Sequence, residues 1–266
     1  MPPKRRPDLS AQEYVFDTVA EAYDGQFTRT RIGTAMRAAV WARCMARFRP
    51  GFRILEMNCG TGEDAAWLAR QGMQVLATDI SPRMLEVAGR KLAALPENAA
   101  VQFRTLAWEE LGDLAAEPFD GMLSNFGGLN CVSDWQGAAR ALAGRLRPGA
   151  TAILCIMGPH VPWEWLWFLA RGRPAAAFRR LHGSREWSGV RLRYPSIGAA
   201  RTAFAPGFRP LRVTAIGALL PPPYTEGTLR RYPRLLDTLE RLERRFEAHW
   251  PLPQLADHYL LELERI

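Results

Sequence analysis

Ile54-Leu55-Glu56-Met57-Asn58-Cys59-Gly60-Thr61-Gly62 is the stretch that decides how this chain is read. A short apolar run, Phe52 to Met57, ends in a loop with two closely spaced glycines, and a helical pattern (Ala65, Ala66, Leu68, Ala69) follows. Strand, glycine turn and helix form the opening unit of a doubly wound α/β sheet, whose ligands bind at the carboxyl ends of the strands. Glycine lets the chain turn sharply and brings its backbone close to a ligand. Taken alone, so short a glycine pair reads equally well as a plain strand-to-helix turn.

Working outward, Gly72 caps the helix, and Val75-Leu76-Ala77-Thr78 reads as the next strand, ending at Asp79. Ser81-Pro82 then opens a helix, with serine as N-cap and proline in the first turn. Further strands are predicted at Val101 to Leu106, Phe119 to Ser124 and Ala150 to Met157, with a helix from Ala138 to Leu146. Upstream, Asp17 to Tyr23 and Thr34 to Phe48 read as helices. Downstream, Ala199 to Phe204 is helical, Leu211 to Leu219 and His258 to Arg265 are the last strands, and an amphipathic helix spans Thr228 to Ala248. Strands alternating with helices imply a mostly parallel sheet of about seven strands, with helices on both faces. Residues 1–10 are expected to form a disordered basic arm. Residues 11–266 are expected to form one domain, interrupted by a cap after the fifth strand at about 160–196.

The ligand class follows from the loop and its partner. An acidic side chain at the end of the second strand, Asp79, suits the two hydroxyls of a ribose, although it also suits the dipole of the helix that follows. A dinucleotide site would show a third glycine in G-x-G-x-x-G. Here Gly62 is followed by Glu63-Asp64-Ala65, and two carboxylates would repel a pyrophosphate. A nucleoside without phosphates fits better.

At this point the chain resembles a known family. Ile54 to Gly62 resembles motif I of the class I S-adenosylmethionine-dependent methyltransferases, and Ala77-Thr78-Asp79-Ile80-Ser81-Pro82-Arg83-Met84-Leu85 resembles the motif that follows it. Phe119-Asp120-Gly121-Met122-Leu123-Ser124-Asn125 is similar to the fourth motif, and Leu146-Arg147-Pro148-Gly149-Ala150 to the turn before the fifth strand. Asp17-Thr18-Val19-Ala20-Glu21-Ala22-Tyr23-Asp24 resembles the N-terminal helix of the same family, and the overall likeness is to its UbiE-like, type 11 small-molecule group. The resemblance implies a Rossmann-like class I methyltransferase fold, with S-adenosylmethionine as cofactor. It implies that Glu56 organises the loop around the methionine amine, and that Gly60 and Gly62 allow backbone contact. It further implies that Asp79 binds the ribose, Ile80 packs on the adenine, and Trp108 and Glu109 border the adenine edge. The backbone of Ser124 and Asn125 would hold the amino group, and Tyr23 would close over the cofactor. Two positions depart from the pattern. Asn58 stands where the family has its first glycine, either hydrogen-bonding the cofactor or simply tolerating the turn. Ala107 stands where an acidic residue often meets the adenine amine.

Methyl transfer from a sulfonium is an in-line displacement that asks the protein chiefly for positioning and exclusion of water. Tyr23 and Phe126 are candidates for an aromatic face beside the sulfonium, or equally ordinary core. If the acceptor is a hydroxyl, a base should assist. Of the four histidines, His160 is the first candidate because it follows the fifth strand at the carboxyl edge. Cys131 lacks the Pro-Cys context of a covalent nucleophile and reads as a small buried residue.

The segment Pro162-Trp163-Glu164-Trp165-Leu166-Trp167-Phe168-Leu169-Ala170 is apolar nearly all round as a helix, and arginines follow it at 171, 173, 179 and 180. It reads as a lid buried against the core, as the wall of an apolar acceptor pocket, or as a surface that touches lipid, where Trp and Arg are favoured. Arg191 to Tyr194 alternates like a strand and would complete the cap, with Pro221 to Tyr224 on the far rim.

Composition narrows the rest. A chain that is 48% hydrophobic and 23% charged has ample core, so no disulfide or metal staple is needed. The four cysteines, at 44, 59, 131 and 155, form no C-x-x-C pair, so no metal site is expected. Sparse cysteine and the lack of a secretory signal predict a cytoplasmic protein. No run approaches the ~20 apolar residues that a membrane span needs. The net charge is +8, and all but two of the 35 basic residues are arginine (the lysines are Lys4 and Lys91). That excess reflects a GC-rich coding bias, or else an anionic partner. The expected function is methyl transfer to a small, apolar acceptor such as a quinone, polyketide, lipid or glycan precursor. Two alternatives are a nucleic-acid methyltransferase, which lacks both an Asn/Asp-Pro-Pro-aromatic run and an RNA-binding module here, and a non-catalytic scaffold, against which the intact Gly60, Gly62 and Asp79 argue.

Overall fold

The computed structural model describes residues 9–93 and 100–266, so residues 1–8 of the expected arm lie outside the described residues. The rest of that arm is corrected: α1 begins at Ser10 and runs to Tyr23, seven residues before the expected start, and one wide turn, Asp24–Thr28, continues it. The chain then forms α2 (Arg31–Met45), β1 (Arg53–Met57), α3 (Glu63–Arg70), β2 (Gln74–Asp79), α4 (Pro82–Leu92), β3 (Val101–Thr105) and β4 (Phe119–Ser124). Next come α5 (Trp135–Ala143), β5 (Leu146–Met157), α6 (Pro162–Leu169), α7 (Pro174–Ala177) and a hairpin of β6 (Ser184–Trp187) and β7 (Val190–Arg193). The last elements are α8 (Ile197–Phe204), β8 (Phe208–Ile216), α9 (Glu226–Leu229), α10 (Pro233–Phe246) and β9 (His258–Arg265).

Seven strands form one sheet in the order β3-β2-β1-β4-β5-β9-β8. β9 runs antiparallel to both its neighbours, and the other pairings are parallel. The central strands are apolar on both sides because helices cover both faces. Successive residues alternate between two cores: Leu55, Met122, Leu154 and Leu261 face α5 and α8, while Ile54, Leu123, Ile153 and Leu260 face α2, α3 and α10. Each such side chain, fully buried, stabilises the fold by roughly 1.5–3 kcal/mol.

Local signals set the boundaries. Ser81 caps α4, its hydroxyl accepting from the Met84 amide at 3.0 Å, with Pro82 in the first turn. Thr30 caps α2 in the same way through Gly33 at 3.0 Å. The predicted strand Leu211 to Leu219 is shifted. The strand stops at Ile216, and Gly217 turns the chain at φ +74°. The buried Glu243 carboxylate of α10 then accepts the amides of Gly217, Leu219 and Leu220 at 2.6–2.8 Å, so the apolar run after the turn leaves the sheet. The predicted helix Thr228 to Ala248 is broken by Pro233, which cannot donate inside a helix, into α9 and α10.

Candidate functional site

The strand order reverses between β1 and β4, so the chain leaves their carboxyl ends in opposite directions and opens a crevice there. Three left-handed residues shape its floor: Asn58 (φ +51°), Gly60 (φ +52°) and Gly62 (φ +73°). The two glycines have different reasons. A Cβ on Gly60 would meet nothing within 4 Å, so its bare Cα faces open space. A Cβ on Gly62 would stand 2.7 Å from the Ala88 Cβ, so Gly62 is required by the packing of the loop on α4.

Asp79 ties the two sides of the crevice together. Its Oδ2 accepts the Gly60 amide at 2.8 Å and its Oδ1 accepts the Ser81 amide at 3.0 Å. Burial pushes its carboxyl up to about 6, and the amides of Ser81, Gly60 and Ile80 pull against that rise.

Asn58 is held at both ends of its side chain. Its Nδ2 donates to the Asn125 carbonyl at 3.0 Å, and its Oδ1 accepts from the Ser124 hydroxyl at 2.7 Å and from the Trp108 indole at 3.3 Å. A Cβ at position 128 would fall 2.0 Å from the Asn58 side chain, so Gly128 is the partner that makes room for this asparagine. Next to it Phe126 sits at φ +47°, where a bulky side chain is strained. Its ring is fixed by Phe27 at 4.6 Å and by the Arg37 guanidinium at 4.9 Å.

Behind the loop lies a buried ionic cluster that sequence reasoning missed. Asp64 accepts from Arg37, from the Trp41 indole at 2.6 Å and from the Asn125 amide at 2.9 Å. Glu56 is buried beside it, its carboxyl raised well above the ordinary range by desolvation and by the charge of Asp64. Its Oε2 and the Nε of Arg37 are both buried without a partner among the described residues. Asp64 had been weighed only as a repellent of phosphate. Its pairing with Arg37, 27 residues earlier, carries no local sequence signal.

Helix α1 roofs the crevice. Thr61 of the glycine loop donates to Asp24 at 2.7 Å, and Lys91 reaches the same carboxylate at 2.6 Å. The hairpin completes the roof, with Trp187 edge-on to Phe16 of α1 at 6.0 Å. The resulting cleft is open on one side and is lined by the glycine loop, α1 and the hairpin.

Of the residues expected at the site, Tyr23, Asn58, Gly60, Asp79, Ile80, Trp108, Glu109 and Asn125 line this one cleft. Glu56, Gly62 and Ser124 lie behind its wall. His160 stands elsewhere. After β5 the Gly158 amide donates to the Asp257 carbonyl at 3.1 Å and draws the chain toward β9. His160 is thereby left exposed in a separate depression with Ser196, Ile197 and Pro253. The cap also differs from expectation. No residue of α6 lines the cleft, and neither does Tyr224; Trp187 and Leu192 of the hairpin do. Gln12, Phe16 and Met157 join them, although nothing local in the sequence set them apart from core. Cys131 also lines the cleft, and burial pushes its thiol up to about 12, which leaves it a poor nucleophile. Among the described residues, no group of three His, Cys, Asp or Glu side chains is placed to hold a metal ion.

Residues 54–149 match the methyltransferase domain family. The sheet order, the glycine loop and the acidic end of β2 agree with that match. In sequence and in fold these residues resemble a class I methyltransferase domain. The chain is 32% identical over 148 residues to a demethylmenaquinone methyltransferase of Tropheryma whipplei, an alignment covering 53% of this chain and 56% of that one. It is 28% identical over 153 residues to a tRNA 5-carboxymethoxyuridine methyltransferase of Escherichia coli, covering 56% and 58%. The chain thus spans little more than half the length of these relatives. Among solved structures, an S-adenosylmethionine-dependent methyltransferase from Mesorhizobium loti superposes with a TM-score of 0.59 at 22% identity, covering 87% of this chain and 98% of that one. Among the described residues, no helix is long and apolar enough to cross a membrane.

Proposed function

We propose that the protein transfers the methyl group of S-adenosylmethionine to a small, apolar acceptor. The observation that carries this reading is the Gly60–Asp79 pair: a glycine whose bare Cα faces open space and whose amide donates at 2.8 Å to a carboxylate in the same cleft. The residues present fit the cofactor. Asp79 keeps lone pairs for ribose hydroxyls, Ile80 and Trp108 offer faces to a purine, and Glu109 borders its edge. Gly60 admits the ligand against the main chain. Glu56 lies one layer behind the loop with an unsatisfied oxygen and does not line the cleft. When bound, the sulfonium supplies an electrophilic methyl group. The protein's own part is to hold, orient and dry the site. Tyr23, Phe16 and Trp187 shield the cleft from water, and Asn58 and Asn125 keep its floor rigid through their mutual bond.

The apolar acceptor follows from the lining. Among the described residues, the only full charges lining the cleft are the carboxylates of Asp79 and Glu109, and burial raises the Glu109 carboxyl as well. Phe16, Phe126, Val132, Met157, Trp187 and Leu192 make up much of the remainder. No histidine lines it, so an acceptor that brings its own nucleophilic lone pair suits it best, a quinol or enol that ionises unaided being one such class. The relationship to a tRNA enzyme supports a nucleic-acid acceptor instead, but among the described residues no arginine or lysine lines the cleft to meet a phosphate.

The test is a calorimetric titration with S-adenosylmethionine and its demethylated product, followed by transfer of labelled methyl groups into cell extract. Binding of both ligands and label in the organic-soluble fraction are expected. Failure to bind either ligand overturns the cofactor assignment, and label confined to RNA overturns the acceptor assignment.

A further inference from the structure

The strongest unexplained surface is the one built by α6 and the loop before α9. Leu166 and Leu169, three residues apart on one helical face, are 65% and 46% exposed. Around them lie two groups of aromatic rings: Trp167 and Phe168 pack on Tyr224 at 6.1 and 5.9 Å, and Trp165 packs on Phe178 at 6.0 Å. Tyr224 and Phe178 are themselves 48% and 38% exposed. Two other side chains of α6 anchor it. The Trp163 indole donates to the Leu219 carbonyl at 2.9 Å, and the buried Glu164 binds Arg179 and Arg180 at 2.5 and 2.9 Å. The helix is therefore held in place while its leucines point to solvent.

The segment that carries α6 is basic. From Val161 to Arg185 there are five arginines and a single acid, and that acid is the buried Glu164. Arg171 lies 3.2 Å over the Trp167 ring, and Arg173 lies 5.6 Å from the Phe168 ring. Among the described residues neither arginine has a carboxylate partner. We propose that this face docks on an anionic lipid bilayer, with Leu166 and Leu169 entering the headgroup–acyl boundary, the aromatic rings at headgroup depth, and Arg171 and Arg173 on lipid phosphates.

Three features select that occupant. Exposed leucines gain from an apolar medium, which RNA does not offer. A second copy docked about a twofold axis would set arginines against arginines. The mix of Leu, Trp, Tyr and Arg is what the bilayer interface favours. The patch also lies on the carboxyl side of the sheet. α6 begins five residues after Met157, which lines the cleft. The docking itself requires no cofactor and does not rest on the methyl-transfer reading.

The test is co-sedimentation of the full chain with vesicles of phosphatidylcholine alone or mixed with phosphatidylglycerol. Binding to the mixed vesicles that weakens with salt is expected. Leu166→Asp with Leu169→Asp should weaken it at least about tenfold. Arg171→Gln with Arg173→Gln should weaken it roughly thirtyfold at low salt. All four side chains reach solvent, so unchanged melting temperatures are expected and separate lost docking from lost folding. No sedimentation with the mixed vesicles, binding that survives both pairs of substitutions, or equal binding to phosphatidylcholine alone overturns the proposal. Concentration-dependent dimerisation abolished by the leucine substitutions, without vesicle binding, assigns the face to a second copy and overturns it too. So does RNA binding that depends on the two arginines but not on the leucines, again without vesicle binding.

Discussion

Replacing Asp79 by asparagine separates the fold's interest in this residue from the ligand's. Burial raises the carboxyl to about 6 from an ordinary 3.8, so the folded chain holds this proton more tightly than the unfolded one. For a value raised on folding, the stability contributed is full below 3.8 and is lost as the pH climbs through about 6. At neutral pH the buried charge therefore costs roughly 3 kcal/mol. Asparagine never incurs that cost. It does give up one of the two amide bonds, because a carboxamide has a single acceptor oxygen for the Gly60 and Ser81 amides, a loss of about 1–2 kcal/mol. The variant should therefore be as stable as the parent near neutral pH, or about 1–2 kcal/mol more stable. Its stability relative to the parent should rise by about 2 kcal/mol between roughly pH 4.5 and 7.5. Urea unfolding of both proteins across that range reads the difference directly. Calorimetry on the same samples should show S-adenosylmethionine affinity falling by about a hundredfold, the scale of losing charge-assisted bonds to two hydroxyls. In the parent, affinity should weaken as the pH drops below about 6, when the carboxylate is protonated. A stability difference that is flat or shrinks as the pH rises refutes the burial argument. Unchanged affinity in the variant refutes the ribose role.

The two glycines of the loop should fail differently when each is replaced by alanine. Gly62→Ala brings a Cβ to 2.7 Å from Ala88 at a positive φ and should lose about 2–4 kcal/mol of stability in denaturant titration. Gly60→Ala meets open space and should lose only about 1–2 kcal/mol, while cofactor affinity falls at least about tenfold. Trp187→Ala removes the edge contact with Phe16 at the roof; the acceptor KM should rise about tenfold, with cofactor Kd changed far less, in steady-state and titration measurements. Arg180→Ala strands the buried Asp257 carboxylate and leaves the buried Glu164 with Arg179 alone. It should destabilise the cap by about 3–5 kcal/mol, seen as lost hydrogen-exchange protection from Pro162 to Arg193.

Much of the architecture was legible from local pattern. The alternation of apolar strands and capped helices from Phe52 to Met157 predicts the parallel half of the sheet, because a residue's place on a strand or cap depends on its immediate neighbours. Ser81 and Pro82 announce α4, and Asp79 announces the carboxylate at the end of β2. The same reasoning misjudged elements whose limits are set from afar. Ala218-Leu219-Leu220 is as apolar as a strand, but the Glu243 carboxylate takes its amides. α1 starts earlier than its apolar stripe suggested, and its first turns bring Gln12 and Phe16 into the cleft.

By itself the sequence determined the strand–loop–helix unit, the left-handed glycines and the acidic partner one strand over, since each rests on conformational preferences of a few adjacent residues. Tertiary structure alone decided which side chains share a cavity. It set Arg37 beside Asp64, turned Asn58 onto Ser124 and Trp108, and moved His160 out to solvent. It also put Trp187, rather than a tryptophan of α6, in the cleft. Such pairings join residues tens of positions apart, and no local preference encodes the path the chain takes between them.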